Sequence, residues 1–329
     1  MKKYFILVLS LFFITACSTR EYYKPSSNID KPIILKNKIN GNILFFNKDI
    51  ATLDNYKTIP YNTQLPKGFL AITKDIAKKG NVLLVDGKKI KFNSLIVTAI
   101  KKDNLLAIIF GDNHFELYDL NQNQTIASES FGEFLAARKF VAAPYFYKQL
   151  LLIPTLNGKL VIFDLNNYKV VRSLVVSQKD YFNNIIYLNV VNDSLIVASR
   201  DNIIVITPGL VINKNYNIKH ILVDGEYIYI FTTEGKIIKT NLLLKPIKEK
   251  EFRFANIVEP IFFNNKIYFL NRGYRTYLIN IDKDLNNYSV RGIKIIQKDE
   301  CLNDYVNLQQ NVFGYNGIYY IGNYILKLK

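Results

Sequence analysis

The 329-residue chain contains no tryptophan, one methionine, two cysteines and two histidines. Each scarcity closes off a class of chemistry. With Cys17 assigned to another task below, Cys301 has no partner for an intramolecular disulfide, so stability must come from packing. The acidic neighbours Asp299 and Glu300 work against a thiolate at Cys301, which makes it a poor nucleophile. His114 and His220 stand 106 residues apart, without the ligand spacing of a metal site; both read as turn or strand-end residues. No P-loop, Gly-x-Ser-x-Gly or Gly-x-Gly-x-x-Gly occurs, and the 15 glycines are taken up largely by turns. Carboxylate pairs such as Glu249/Glu251 and Asp299/Glu300 lie among lysines and read as solvated edges. No metal or cofactor is expected, and no catalytic residue. Beyond the first twenty residues no apolar run reaches the roughly 18 residues needed to span a bilayer.

What the chain does have is apolar mass and positive charge. Hydrophobic residues make up 49% and aromatics 14%, which excludes disorder. Forty-three Lys+Arg against 27 Asp+Glu give a formal charge of +16. Such a chain is drawn to anionic surfaces over about a Debye length. The lysines are dispersed, however, as expected of a Lys-, Asn-, Ile- and Tyr-rich composition. Two denser stretches are candidate interaction patches: Lys88, Lys89 and Lys91 with Lys101 and Lys102, and Lys245, Lys248, Lys250 and Arg253. They suit lipid headgroups, cell-wall carboxylates or an acidic protein partner. Nucleic acid is not expected, because of the compartment argued next.

Residues 1–17 read MKKYFILVLSLFFITAC: Lys2 and Lys3, an apolar stretch from Tyr4 to Ile14, then small residues before Cys17. This is the order of a secretory signal, and the stretch is too short for a membrane anchor. Ile14-Thr15-Ala16-Cys17 resembles the lipobox of bacterial lipoproteins. The resemblance implies diacylglycerol on the Cys17 thiol and cleavage before it, leaving 313 residues with a formal charge of +14. Ser18 follows the cysteine; in such lipoproteins Asp there favours inner-membrane retention, so Ser implies the outer membrane, with the body facing the periplasm. The expected organisation is a signal peptide over 1–16, a lipidated, flexible tether over 17–32 containing Pro25, Ser26, Ser27 and Pro32, and a globular body over 33–329.

From Ile33 onward, short runs of Ile, Val, Leu, Tyr and Phe alternate with Asn, Asp and Gly. That is the pattern of strands and turns. Phe131 to Val141 is the best helical candidate. Leu150 to Val171 reads as strand, Asn157-Gly158 turn of the type I′ kind, strand, Asp/Asn turn and strand. Leu105 to Ile126 follows the same scheme with Asp119 in place of Asp164; Tyr227 to Leu243 and Ile267 to Tyr288 repeat its first half. Asp284-Leu-Asn-Asn-Tyr288 echoes Asp164-Leu-Asn-Asn-Tyr168. The strands opening the units are expected at Ile43-Phe46, Leu105-Phe110, Leu150-Ile153, Leu195-Ala198, Tyr227-Phe231, Ile267-Leu270 and Ile318-Ile321, with first residues 62, 45, 45, 32, 40 and 51 apart. Units of about 45 residues predict an all-β protein, a β-propeller of seven blades, or eight if the long first gap hides one near Phe69-Ile72 and Val82-Val85. Several openers are apolar at successive positions, which calls for burial on both faces. The last strands, around 318–328, are expected to complete a blade begun near the N-terminus.

Asn157 to Leu165 with Lys169-Val170-Val171 resembles the repeat of PQQ-like β-propellers. Gly111 to Ala127 and Glu234 to Leu243 are weaker copies. With the lipobox, the whole is similar to the BamB-type lipoproteins of the outer-membrane β-barrel assembly machinery. One departure is the tryptophan that usually closes such a repeat; Ser173-Leu174 stands there instead. The resemblance implies a non-enzymatic scaffold that binds envelope proteins, among them β-barrel assembly subunits, through loops and strand edges. The alternative is a propeller enzyme or glycan-binding protein acting on envelope polysaccharide, which a His or carboxylate cluster at one end of the central channel would favour.

Overall fold

The computed structural model describes residues 21–25, 29–35, 43–46, 50–53, 58–59, 66, 68–73, 76–134, 141–273, 275–295, 312–321 and 324–329. The Cys17 context and Cys301 lie outside them. The described residues form eight sheets, mostly of four strands. In chain order these are sheet 1 (43–59), sheet 2 (70–91), sheet 3 (96–130), sheet 4 (145–175), sheet 5 (187–215), sheet 6 (218–251), sheet 7 (257–295) and sheet 8 (312–327). Strands follow one another antiparallel in each, so every sheet is a local meander. Together they make an all-β propeller.

Two sequence expectations change. The 62-residue first gap holds sheet 2, a complete four-stranded unit, so there is one sheet more than the seven openers indicated. The most apolar runs are also not openers from the third sheet on. Leu105–Phe110, Tyr227–Thr232 and Lys266–Asn271 are the second strands of their sheets. The core explains why. Leu106, Ile108 and Phe110 pack with sheet 2, whereas Ala107 and Ile109 pack with sheet 4. Likewise Ile228 and Ile230 face sheet 5, and Tyr229 and Phe231 face sheet 7. Stacking each sheet between two others buries both faces of its middle strands, so alternation vanishes there. First and fourth strands lie at the sheet edges and keep more polar residues, which is why they read less clearly.

The repeated acidic residue has a backbone task. Asp119 Oδ1 accepts the N–H groups of Asn121 and Gln122 at 2.7 and 3.0 Å. Asp164 does the same for Asn166 at 2.9 Å, and Asn241 for Leu243 and Lys245 at 3.0 Å. In sheet 7 the equivalent is Asp282, bound by the N–H groups of Asn286 and Asn287 at 2.8 and 2.9 Å. The sequence echo centred on Asp284 is therefore out of register by two residues. Each such carboxylate or amide caps a turn that would otherwise leave N–H groups unpaired.

The Asn157-Gly158 turn also departs from type I′, since only Gly158 has positive φ, +80°. A side chain there would meet Ser177 O at 2.9 Å. Phe131 to Phe134 are not helical, and 135–140 lie outside the described residues.

The chain ends differ from expectation as well. Val312–Tyr315, Ile318–Ile321 and Tyr324–Lys327 pair with one another in sheet 8. The N-terminal strand Ile29–Leu35 does not join them. It adds in parallel to Tyr288–Ile295, the outer strand of sheet 7, with Leu35 buried in the cluster between sheets 7 and 8. Part of the stretch expected as tether is thus a strand of the body.

Candidate functional site

The first basic stretch is split across two sheets. Lys88–Lys91 is the exposed outer strand of sheet 2, and Ile96–Lys102 opens sheet 3. Folding brings Lys88, Lys89, Lys91 and Lys101 around one concavity of about 520 Å³, with Asp86, Asp103, Tyr118 and Asn121 in its walls. Lys101 Nζ pairs with Asp86 at 2.5 Å, which tempers the positive field. Lys102 turns away, its Nζ 5.8 Å from the Phe146 ring of sheet 4.

The second stretch does not converge. Lys245, Lys248 and Lys250 lie on or beside Pro246–Glu251, the exposed outer strand of sheet 6. Lys248 donates to Asn286 Oδ1 of sheet 7, and Lys250 Nζ sits 4.5 Å from the Tyr288 ring centroid. Lys245 is held by the turn through its own N–H. Arg253 belongs to the following loop, its guanidinium 4.8 Å over Phe254.

A larger concavity, about 1060 Å³, was not foreseen. Its walls are the segment Glu21 to Pro25 and the loops around Glu234, Arg253 and Arg272. Tyr23 fixes this arrangement: its ring stands edge-on to Phe252 at 6.2 Å and to Tyr277 at 6.1 Å, within the core between sheets 6 and 7. Burial, then Tyr288 and Tyr277, push its phenol well above the ordinary tyrosine range. Lys24, Arg253, Arg272 and Arg275 face Glu21, Glu234 and Glu251 around the rim. Burial opposes the Glu234 carboxylate, yet hydrogen bonds from Thr232, Asn217 and Thr233 outweigh it and hold it below the usual carboxylate range. The only sequence signal was Tyr22-Tyr23, two aromatics in a stretch otherwise polar.

The inner strands carry a third group. His220 and Glu259 line a concavity of about 340 Å³ with Tyr187, Tyr315 and Asn316. Both sit where strand pairing slips, between Ile218 and His220 and between Val258 and Ile261, and Glu259 has a φ of +46°. Bulges of this kind re-aim side chains. Next to them Lys219 donates to Asn256 Oδ1. Its burial, then the nearby Arg200 and Arg272, push the ammonium down to about 8. His114, by contrast, is anchored in place: it stacks on Phe110 at 4.2 Å, and its ring nitrogens contact Asp112 and Glu116. Among the described residues, no three His, Cys, Asp or Glu are grouped to hold a metal ion, and no helix is long and apolar enough to cross a membrane.

Meandering sheets stacked face to face around inner strands define the class, a β-propeller. The structure matches that of BamB from Moraxella catarrhalis with a TM-score of 0.61 at 12% identity, covering 92% of this chain and 98% of that one. The C-terminal WD40 domain of Sif2 gives 0.60 at 10% identity over 95% and 100%. At such identities the likeness is one of fold. In sequence the chain is similar to two plasminogen-binding proteins PgbB of Helicobacter pylori. The identity is 29% over 204 residues for strain J99, 61% of this chain and 37% of that protein. For strain 26695 it is 23% over 351 aligned positions, 88% and 64%. The chain therefore spans about a third to two thirds of these relatives. No family model matches it.

Proposed function

We propose that this chain is a non-enzymatic, protein-binding propeller of the bacterial cell envelope, held to the outer membrane by lipid on Cys17 and facing the periplasm. The observation that carries the reading is the edge of sheet 7. There, one outer strand already takes an extended seven-residue segment, Ile29–Leu35, in parallel. The equivalent strands Lys169–Val175, Leu210–Asn215 and Pro246–Glu251 are exposed along most of their length. Open edges of this kind pair with extended partners, and the charge of +14 left after cleavage before Cys17 favours acidic ones. Similarity to PgbB over 88% of the chain makes plasminogen the first partner to assay. The fold likeness to BamB makes envelope proteins of β-barrel assembly the second. The concavity lined by Lys88, Lys89, Lys91 and Lys101 is the patch to disable.

The test combines binding of plasminogen to the immobilised protein with crosslinked capture from envelopes. Saturable binding, weakened by Lys88→Glu with Lys89→Glu, supports the reading. The alternative is a glycan-binding or glycan-cleaving propeller, favoured by His220 and Glu259 in one inner concavity. Cleavage or saturable binding of envelope polysaccharide that is lost in Glu259→Gln, with no protein partner captured, would replace the scaffold reading.

A further inference from the structure

We infer that the propeller lies with one defined end against an anionic phospholipid surface, the end where outer strands hand over to the next sheet. The inference rests on lipidation of Cys17. Five residues, six Cα-to-Cα steps, separate Cys17 from Tyr23, about 20 Å of fully extended chain. Tyr23 is seated between Phe252 and Tyr277, so the leash ends there and not at the body boundary expected from sequence. A lipid on Cys17 would hold the loops around Phe254 and Arg275 close to the bilayer.

Topology shows what else shares that end. In an antiparallel meander, the link from each fourth strand to the next sheet lies at the same end as the hairpin between second and third strands. Residues 92–95, 176–186 and 252–256 are such links. They carry Leu95, Tyr181, Phe182 and Phe254, exposed by 67, 60, 45 and 43%, and Tyr22 beside them is exposed by 49%. Exposed apolar side chains thus recur in three separate loops of that end. Around the concavity at that end Lys24, Arg253, Arg272 and Arg275 stand against Glu21, Glu234 and Glu251, an excess of one positive charge. Aromatic and leucine side chains entering the headgroup region, with arginine and lysine meeting phosphates, are the pattern of an interfacial surface. At the opposite end Tyr168, Leu210, Tyr227 and Leu243 are exposed by 46, 51, 40 and 37% among turns built on Asp119, Asp164 and Asp282. The concavity of Lys88, Lys89 and Lys101 opens there as well, so it is the short reach from Cys17 to Tyr23 that selects the end facing lipid.

The test places a fluorophore at Asn93→Cys or Asn121→Cys in the acylated full-length chain carrying Cys301→Ser. These positions lie at opposite ends of neighbouring strands. In vesicles of phosphatidylethanolamine and phosphatidylglycerol containing a lipid-borne quencher, the label at position 93 should be quenched and that at 121 spared. Equal quenching, or the reverse, overturns the inference. A second arm uses the unacylated Cys17→Ser chain, which should co-sediment with the same vesicles at low salt. Combining Tyr181→Ser, Phe182→Ser, Phe254→Ser and Arg253→Gln should lower the bound fraction about tenfold or more with the melting profile retained; no binding by the parent, or no loss in the variant, refutes the proposed face. If the acylated chain is never recovered with vesicles, the lipoprotein reading fails, while the second arm still decides this one.

Discussion

Two outer strands in equivalent places meet opposite fates. Tyr288–Ile295 of sheet 7 is covered by Ile29–Leu35, whereas Lys169–Val175 of sheet 4 faces solvent with Val170, Val171 and Val175 exposed by 40, 64 and 48%. Both are β-rich and both end a meander. The difference lies in what reaches them: Tyr23 pins the N-terminal segment between sheets 6 and 7, which delivers the following residues to one particular edge. An open, valine-bearing edge is usually an aggregation hazard unless charge or a partner blunts it. Lys169 and Arg172 supply some charge, and the proposed partner would supply the rest.

The comparison breaks most easily at Leu35. It is 3% exposed between sheets 7 and 8, so Leu35→Ala should cost about 2–4 kcal/mol by transfer and cavity terms. Val171→Ala on the open edge should cost within about 0.5 kcal/mol. Chemical denaturation measures both, and equal costs would mean that Ile29–Leu35 is not a working strand of the fold.

Tyr23→Ala comes next. Its ring is half-buried, and removal should cost about 1–3 kcal/mol and expose the segment before Pro25 to limited proteolysis. A variant as protease-resistant as the parent would separate the strand from its supposed clamp.

A smaller effect is set by pH. Lys78 and Lys219 are both pushed down to about 8, by burial first. A lysine whose folded pKa lies below its unfolded value near 10.4 destabilises the fold while charged in both states. Stability should therefore rise as pH climbs from about 8 towards 10. Above that range the raised pKa of buried tyrosines such as Tyr319 acts in reverse, because only the unfolded chain loses the proton. Lys219→Met should flatten the rise in melting temperature between those limits; an unchanged rise would remove Lys219 as its source.

The smallest change is on the open edge itself. Val171→Lys should leave stability within about 0.5 kcal/mol yet weaken strand-mediated partner binding. Undiminished binding would direct attention to the concavity at Lys88 and Lys101.

Much of the fold was legible because stacking leaves a direct trace. Leu105–Phe110 is apolar at every position, and only burial on both faces accounts for that. The turn carboxylates Asp119 and Asp164 were legible as a repeat, since capping is local chemistry. Register was not: Asp284 matches Asp164 in letters, but the strand ends at Asp282. For the candidate site, four of the five lysines in the first stretch converge because they lie on neighbouring sheets. Arg253 parts from Lys245 and Lys248 because a strand of 246–251 carries the ends of one short stretch to opposite ends of the sheet.

The sequence by itself determined the class of fold, the meander unit and its turn chemistry, because hydrophobic patterning and capping act over a few residues. Only the tertiary structure decided which edge the N-terminal strand covers, that Tyr23 is seated between sheets 6 and 7, and that His220 and Glu259 line one concavity. These depend on contacts between segments far apart in the chain, where side-chain size and burial select the partner and no local pattern records it.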